Sequence, residues 1–413
     1  MAEIILTTRH VAEVSLKCFM KKIYLLWSLV AALLPFSQSF AQSNDGSEKF
    51  VPPTSPEMPP LKSHDTPAYR AAKHFQHGVN LGDYLEAWPR RSWGVNVKPS
   101  EYAEMKKQGF DHVRVPIGWQ HYAGTAPDFL ISTQIFATVD SVVSNALANQ
   151  LAVIINIHHF DELDHDPAAA TPEFLALWKQ IAAHYKNYPP PLAFELDNEP
   201  HENATTKLMN PIYAQAISEI RQTNPQRTLF VEPGNWGGID GLKNLVLPPD
   251  DNLIVSIHCY EPFFFTHQGA SWAGADVQKI TGIKFPGPPA QPFEISSNLD
   301  VKNYVRARIE KYNTLPAAKN PSGPIAFAGK LKYAHDWSEF YGRPVHLGEF
   351  GAYVKADPQS RANFYSAMRR TAERDDIGWC LWDWSANFRY WDKKNNRAMP
   401  GMHAALFGEA NSN

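Results

Sequence analysis

Leu192-Ala-Phe-Glu-Leu-Asp-Asn-Glu-Pro200 is a short, mostly apolar run that ends in an Asn-Glu pair, with a proline behind it. Such a run reads as a strand buried on both faces, the form strands take in a parallel sheet covered by helices. The polar pair then marks the C-terminal edge of the sheet, where a barrel of such strands collects its reactive side chains. Val345-His-Leu-Gly-Glu-Phe-Gly351 repeats the design. It offers Glu349 as the first stretch offers Glu199, and only a fold can bring the two together.

Outward from these two stretches, strand-like runs alternate with helical patterns. The strands are expected at His74–Asn80, His112–Ile117, Leu151–Ile157, Leu192–Leu196, Thr228–Val231, Leu253–Ile257, Val345–Leu347 and Gly378–Trp382. Helices are expected at Pro99–Gln108, Thr133–Asn149, Thr171–Tyr185, Asn210–Thr223, Pro324–Phe340 and Gln359–Arg374. Thr171 is read as the cap of its helix, with Pro172 at the first position. Between strands five and six only Ile239–Leu245 offers a short helix. Eight strand-helix units predict an α/β fold, a (β/α)8 TIM barrel. An open doubly wound sheet would carry a Gly-rich phosphate turn after strand one, and Gly78-Val-Asn-Leu-Gly82 is not that turn. Residues 261–323, rich in Pro, Gly and aromatics, form an unusually long connection after strand six. Without structure of its own, such a loop points to function, here one wall of a substrate cleft.

The N-terminus reads as a processing signal. Met20-Lys-Lys22 is a basic start, Ile23–Phe36 an apolar run, and Ser39-Phe40-Ala41 a small-residue cleavage site. Residues 20–41 are therefore expected to be a signal peptide cut after about Ala41, with residues 1–19 an upstream mis-start. The apolar run is too short to span a bilayer comfortably. Residues 42–70 are a Pro-rich leader expected to be extended or disordered, and 71–413 the catalytic domain. The expected product is a secreted or periplasmic monomer with no integral membrane segment. A net charge of −3 argues against nucleic acid or an anionic membrane as partner. Of 3 cysteines, Cys18 falls in the removed segment. Cys259 and Cys380 are expected as buried thiols, though a disulfide between them is possible.

Polar residues gather where the strands should end: Asn80, Arg114, His158, His159, Asn198, Glu199, Glu232, His258, Tyr260, Glu349 and Trp382. Each alone has a plain structural explanation; the collection points to a site. Two carboxyl groups flanking one bond suit glycoside hydrolysis, one protonated to serve the leaving oxygen and the other ionised to attack the anomeric carbon. Arg114 and a Tyr260 hydroxyl are expected to keep Glu349 charged, while Glu199, beside that charge, holds its proton. Asn198 is placed to meet the sugar 2-hydroxyl. Trp236, and after it Trp119, Trp88 and Trp272, are candidate stacking platforms.

The chain resembles family 5 glycoside hydrolases, the cellulase-type barrel enzymes. The resemblance spans about residues 74–400. It rests on Gly78-Val-Asn-Leu-Gly-Asp-Tyr-Leu-Glu86, Val113-Arg-Val-Pro116, Asn156-Ile-His-His159, Asn198-Glu-Pro200, His258-Cys-Tyr260, Gly348-Glu-Phe350 and Gly378-Trp-Cys-Leu-Trp382, in the family's order. It implies Glu199 as acid/base and Glu349 as nucleophile. It further implies Arg114, His158, Asn198, His258 and Tyr260 as supports and Trp382 as a platform at the cleavage subsite. His159, beside the matched His158, and Trp236, Asn80 and Glu86 are second-rank candidates. The activity so implied is a retaining endo-β-1,4-glucanase acting on a β-glucan polysaccharide or oligosaccharide, without cofactor or metal. Asp83 stands where many relatives carry Asn, and no role is carried over for it. The competing readings are a β-mannanase or a β-1,3- or mixed-linkage glucanase. More remote are a metal-dependent hydrolase using His158, His159, Asp161 and His258, or an inactive carbohydrate-binding protein.

Overall fold

Eight parallel strands close on themselves in chain order: β1 His77–Asn80, β2 His112–Val115, β3 Ala152–Asn156, β4 Leu192–Glu195, β5 Leu229–Val231, β6 Leu253–His258, β7 Val345–Phe350 and β8 Gly378–Leu381. The computed structural model describes residues 49–61, 63–90, 92–296 and 301–408. The ring shuts where Gly78 of β1 pairs with Cys380 of β8. This is the expected TIM barrel. The proposed signal peptide and its start lie outside the described residues. Among the described residues no helix is long and apolar enough to cross a membrane.

The strands are short, and apart from His77 at the start of β1 every strand residue is buried, as strands of a covered parallel barrel are. At the N-terminal mouth four rings close the barrel. Phe75 meets His112 and Phe230 edge-on at centroid distances of 5.4 and 5.2 Å, and His346 lies against His112 and Phe230 at 5.2 and 5.5 Å. At the other mouth the pairing of β6 with β7 shifts register between Ile257 and His258, which sets His258 opposite Glu349. Gly348 makes this possible: a Cβ there would stand 2.4 Å from Ser256 Oγ and 3.1 Å from His258 Nε2. Cys259 and Cys380 are buried free thiols.

Four expectations need correction. The helix assigned to Thr171–Tyr185 spans Pro167–Tyr185, capped by Asp166, whose carboxylate accepts from the Ala169 amide at 3.1 Å. Thr171 lies inside it and donates its hydroxyl to the Pro167 carbonyl. Likewise the helix assigned to Asn210–Thr223 spans Thr206–Arg221 and contains Pro211. In both, a proline stands at the sixth helical position, whereas proline in a sequence usually signals the first turn, where amides need no intrahelical partner.

The described part of the leader, residues 49–61 and 63–70, runs without helix or strand up to residue 66 yet is packed on the barrel. Met58 is buried against the barrel, Leu61 N–H donates to the Tyr341 carbonyl at 3.0 Å, and the Phe50 ring packs against Tyr333, Phe340 and Tyr341. Finally, the connection after β6 has structure of its own. It carries helices at Phe263–Thr266, Ala275–Gln278 and Asn303–Thr314. Gln268 organises it: its side-chain oxygen accepts from the Gly282 and Ile283 amides, and its amide donates to the Phe265 and Ile283 carbonyls. Ile280, Ile283, Phe285, Val305 and Ile309 extend the barrel's core into it.

Candidate active site

Arg114, at the end of β2, is fully buried and spends its guanidinium on five neighbours. Nε donates to Glu195 at 2.5 Å and Nη1 to Asn80 at 2.8 Å and Glu349 at 2.7 Å. Nη2 donates to Asn198 at 2.7 Å and Glu232 at 3.3 Å. Burial works against its charge, but Glu195, Glu349 and Glu232 together outweigh that and push its pKa up. The arginine is the fixed positive centre under the site, and its planar fork suits this many oxygens.

Above it stands Glu349. Oε1 accepts from Arg114, and Oε2 accepts from the Tyr260 hydroxyl at 2.7 Å. Burial lifts its pKa, against the pull of His258 and Arg114. Both oxygens face donors, so the ionised form is the one the pocket fits.

Glu199 follows β4 in the left-handed region, at φ 52°. Its Oε1 lies 2.8 Å from His258 Nδ1, which is also 3.7 Å from Glu349 Oε2. One carboxyl oxygen of Glu199 and one of Glu349 lie within 4.8 Å of each other around that nitrogen. His258 Nε2 lies 3.1 Å from Glu232. Burial disfavours a charged His258, yet the surrounding Glu232, Glu349 and Glu199 raise its pKa well above the ordinary histidine value. Burial raises Glu199 in turn, but the His258 hydrogen bond and charge bring it below the usual glutamate range. These directions run against the expectation that Glu199 holds the proton in the resting site, because three carboxylates face the His258 ring and favour its charged form.

The remaining expected residues divide by position. Asn80 is buried beneath the site, its oxygen taken by Arg114. The Asn198 oxygen is likewise taken, which leaves its amide N–H group to offer. His158 accepts on Nδ1 from the Asn156 amide at 3.2 Å, leaving Nε2–H as donor, and burial lowers its pKa well below the ordinary histidine value. Its ring lies parallel to Trp382 at 6.0 Å. Trp382 in turn packs over Gly82, where a Cβ would come 2.7 Å from the indole. His159 lines the cleft with its surface exposed. With Trp236, His258 and Tyr260 these side chains line a cleft of about 960 Å³ at the C-terminal mouth. The insertion contributes His267, Trp272 and Arg308 to its wall.

Glu86 is not brought to the cleft. It is buried and accepts the backbone amides of Asp83 and Tyr84, and burial pushes its pKa up to about 8. Of the lesser aromatic candidates, Trp119 is core, with its indole N–H on the Asn156 carbonyl. Trp88 is half exposed and stacks on His121, while Trp272 lines the cleft. Among the described residues, His158, His159 and Asp161 do not converge with His258 on a common ligand point. The groups that do converge are Glu195, Glu232 and His258, and Glu199, His258 and Glu349. Sequence reasoning gave no role to Glu195, which sits in a run read as apolar, nor to Asp164 and His201 beside Glu199. The one available signal was a charged residue inside an otherwise apolar strand.

Residues 74–388 match the family model described as Cellulase (glycosyl hydrolase family 5). Endoglucanase 3 of Fibrobacter succinogenes is 30% identical over 359 residues, covering 82% of this chain and 53% of the relative, so the chain spans about half that protein. A solved hyperthermophilic endo-β-1,4-glucanase, in complex with substrate, is 34% identical with a TM-score of 0.72, over 83% of this chain and 99% of that one. Thermotoga maritima Cel5A in complex with mannotriose is 34% identical with a TM-score of 0.71, over 82% of this chain and 100% of that one.

Proposed function

We infer that this chain, which belongs to the cellulase family (glycosyl hydrolase family 5), is a retaining endo-β-1,4-glucanase. One observation carries the reading. Glu199 and Glu349 present oxygens within 4.8 Å of each other at the C-terminal mouth of a barrel, and Glu349 alone is held by both Arg114 and Tyr260. A close carboxyl pair suits double displacement, because no room is left for a water between nucleophile and sugar; an inverting pair stands about 6.5–9.5 Å apart.

In the first step a Glu349 oxygen bonds to the anomeric carbon as the glycosidic C–O bond breaks. The leaving oxygen takes a proton from Glu199, which draws it from His258 across 2.8 Å. The two events reinforce each other. As Glu349 gives up its charge to the new bond, His258 loses one of the carboxylates holding its proton, and release toward Glu199 becomes easier. In the second step Glu199 takes a proton from water, whose oxygen attacks the anomeric carbon and frees Glu349. The Asn198 amide serves the sugar 2-hydroxyl, and Trp382, set against Gly82 and His158, serves as the sugar platform.

The substrate is a β-1,4-glucan by likeness to the endoglucanases, and export by the N-terminal signal would bring the enzyme to it. A β-mannan is the second candidate, since the Thermotoga relative was solved with mannotriose. The test is sugar release from carboxymethyl-cellulose, barley glucan, laminarin and mannan, with Glu349→Ala and Glu199→Ala beside the parent and the product anomer followed. Activity on cellulose and barley glucan with retention is expected. Full activity in either variant, or an inverted anomer, overturns the mechanism.

A further inference from the structure

We propose that His201 is a positioning residue for the proton donor, holding the Glu199 peptide in place between Asp164 and Trp236. The inference rests on the reading of Glu199 as acid/base.

Glu199 has positive φ, a conformation that is strained for a non-glycine residue unless its surroundings impose it. Here every backbone polar group from 199 to 201 is held. Glu199 N–H donates to Glu232 at 2.8 Å, and the Pro200 carbonyl accepts from Trp236 N–H at 3.2 Å. His201 N–H donates to Asp164 Oδ1 at 2.9 Å, and its carbonyl accepts from Ala204 N–H at 2.7 Å. The remaining group, the Glu199 carbonyl, has one partner, His201 Nδ1 at 2.8 Å. A carbonyl can only accept, so Nδ1 carries the hydrogen. Asp164 Oδ2, 3.3 Å from the same nitrogen, is placed to keep it there.

The ring is fixed from the side as well, stacked on Trp236 at 4.9 Å and 22°. Asp164, His201 and Trp236 follow β3, β4 and β5 respectively, and all three line the cleft beside Glu199. The imidazole thus joins three loops at the one peptide whose side chain must deliver a proton to a leaving oxygen. Loss of the Nδ1–H bond frees that peptide to relax and turns the carboxyl away from the glycosidic oxygen, while Glu349 keeps its own Arg114 and Tyr260 contacts.

That predicts a loss that depends on the leaving group. A dinitrophenyl leaving group departs without a proton, whereas a sugar does not. kcat/KM is read on cellotetraose and on 2,4-dinitrophenyl β-cellobioside for the parent, His201→Phe, His201→Asn and Glu199→Gln. His201→Phe keeps a ring against Trp236 and removes the donor. It should lose roughly ten- to a hundredfold on cellotetraose and less than about threefold on the dinitrophenyl substrate. His201→Asn carries an amide N–H near the Nδ1 position and should lose less than the phenylalanine variant on cellotetraose. An equal loss on both substrates, no loss on either, or an asparagine variant as damaged as the phenylalanine one overturns the proposal. Glu199→Gln separates the two readings. If it shows no leaving-group selectivity the assignment of the proton donor fails; if it shows selectivity and His201→Phe does not, only the role of His201 fails.

Discussion

Tyr260→Phe removes one oxygen atom and leaves the ring where His267 and Phe388 hold it, at centroid distances of 5.0 and 5.9 Å. The lost group is the donor to Glu349 Oε2; Arg114 remains on Oε1. A hydrogen bond to a charged partner contributes about 1.5–3 kcal/mol. Because this one exists only for the ionised carboxylate, its loss raises the Glu349 pKa by about one to two pH units, at about 1.4 kcal/mol per unit. The sign follows directly. The active form is the ionised one and the variant protonates sooner, so the acid limb of kcat/KM moves to higher pH. In the parent that limb should already lie above the 4.5 of an ordinary glutamate, since burial raises this group. The assay is kcat/KM on 2,4-dinitrophenyl β-cellobioside across about pH 4 to 8, where no proton donor is needed and the limb reports the nucleophile alone. A limb that stays in place or moves down in pH refutes the reasoning, provided the variant melts with the parent.

Arg114→Met should be far more damaging, because it leaves Glu195, Glu232 and Glu349 buried without their cation. A stability loss of about 3–5 kcal/mol is expected by urea unfolding, with activity abolished; a variant as stable as the parent would show that the arginine is not the counter-ion described here. Met58→Ala tests whether the leader belongs to the folded domain. Truncating this buried side chain should cost about 2 kcal/mol in the unfolding free energy, at the low end for methionine since a terminal segment can shift to fill the gap. An unchanged urea midpoint would mean the segment is detached in solution.

The eight strands were readable because each is a short apolar run between helical patterns, and burial on both faces makes such runs nearly featureless in chemistry. Helix starts were misread at Thr171 and Asn210 because Pro172 and Pro211, each the sixth residue of its helix, look the same in sequence as a proline at the first position. The long connection after β6 could be recognised but not resolved. Its organising contact is one glutamine satisfying four backbone groups, and nothing in the composition marks Gln268 out from other glutamines.

Asn198-Glu199 and Glu349 could be read from sequence because a carboxylate at the end of a buried strand has few structural uses, and two such strands in one chain have fewer. The sequence also determined that the pair would share a pocket, since parallel strands in a closed barrel present all their C-terminal ends at one mouth. How strongly His258 draws a proton from Glu199 was beyond it. That depends on His258 lying 2.8 Å from Glu199, 3.1 Å from Glu232 and 3.7 Å from Glu349, and Coulomb energies at such separations change with each ångström. The tertiary structure alone decided it, by a register shift in β6 and a glycine at 348 that give the imidazole its seat. The anchoring of Glu199 by Asp164, His201 and Trp236 has the same origin: three loops contribute one side chain each, and only closure of the barrel makes them neighbours.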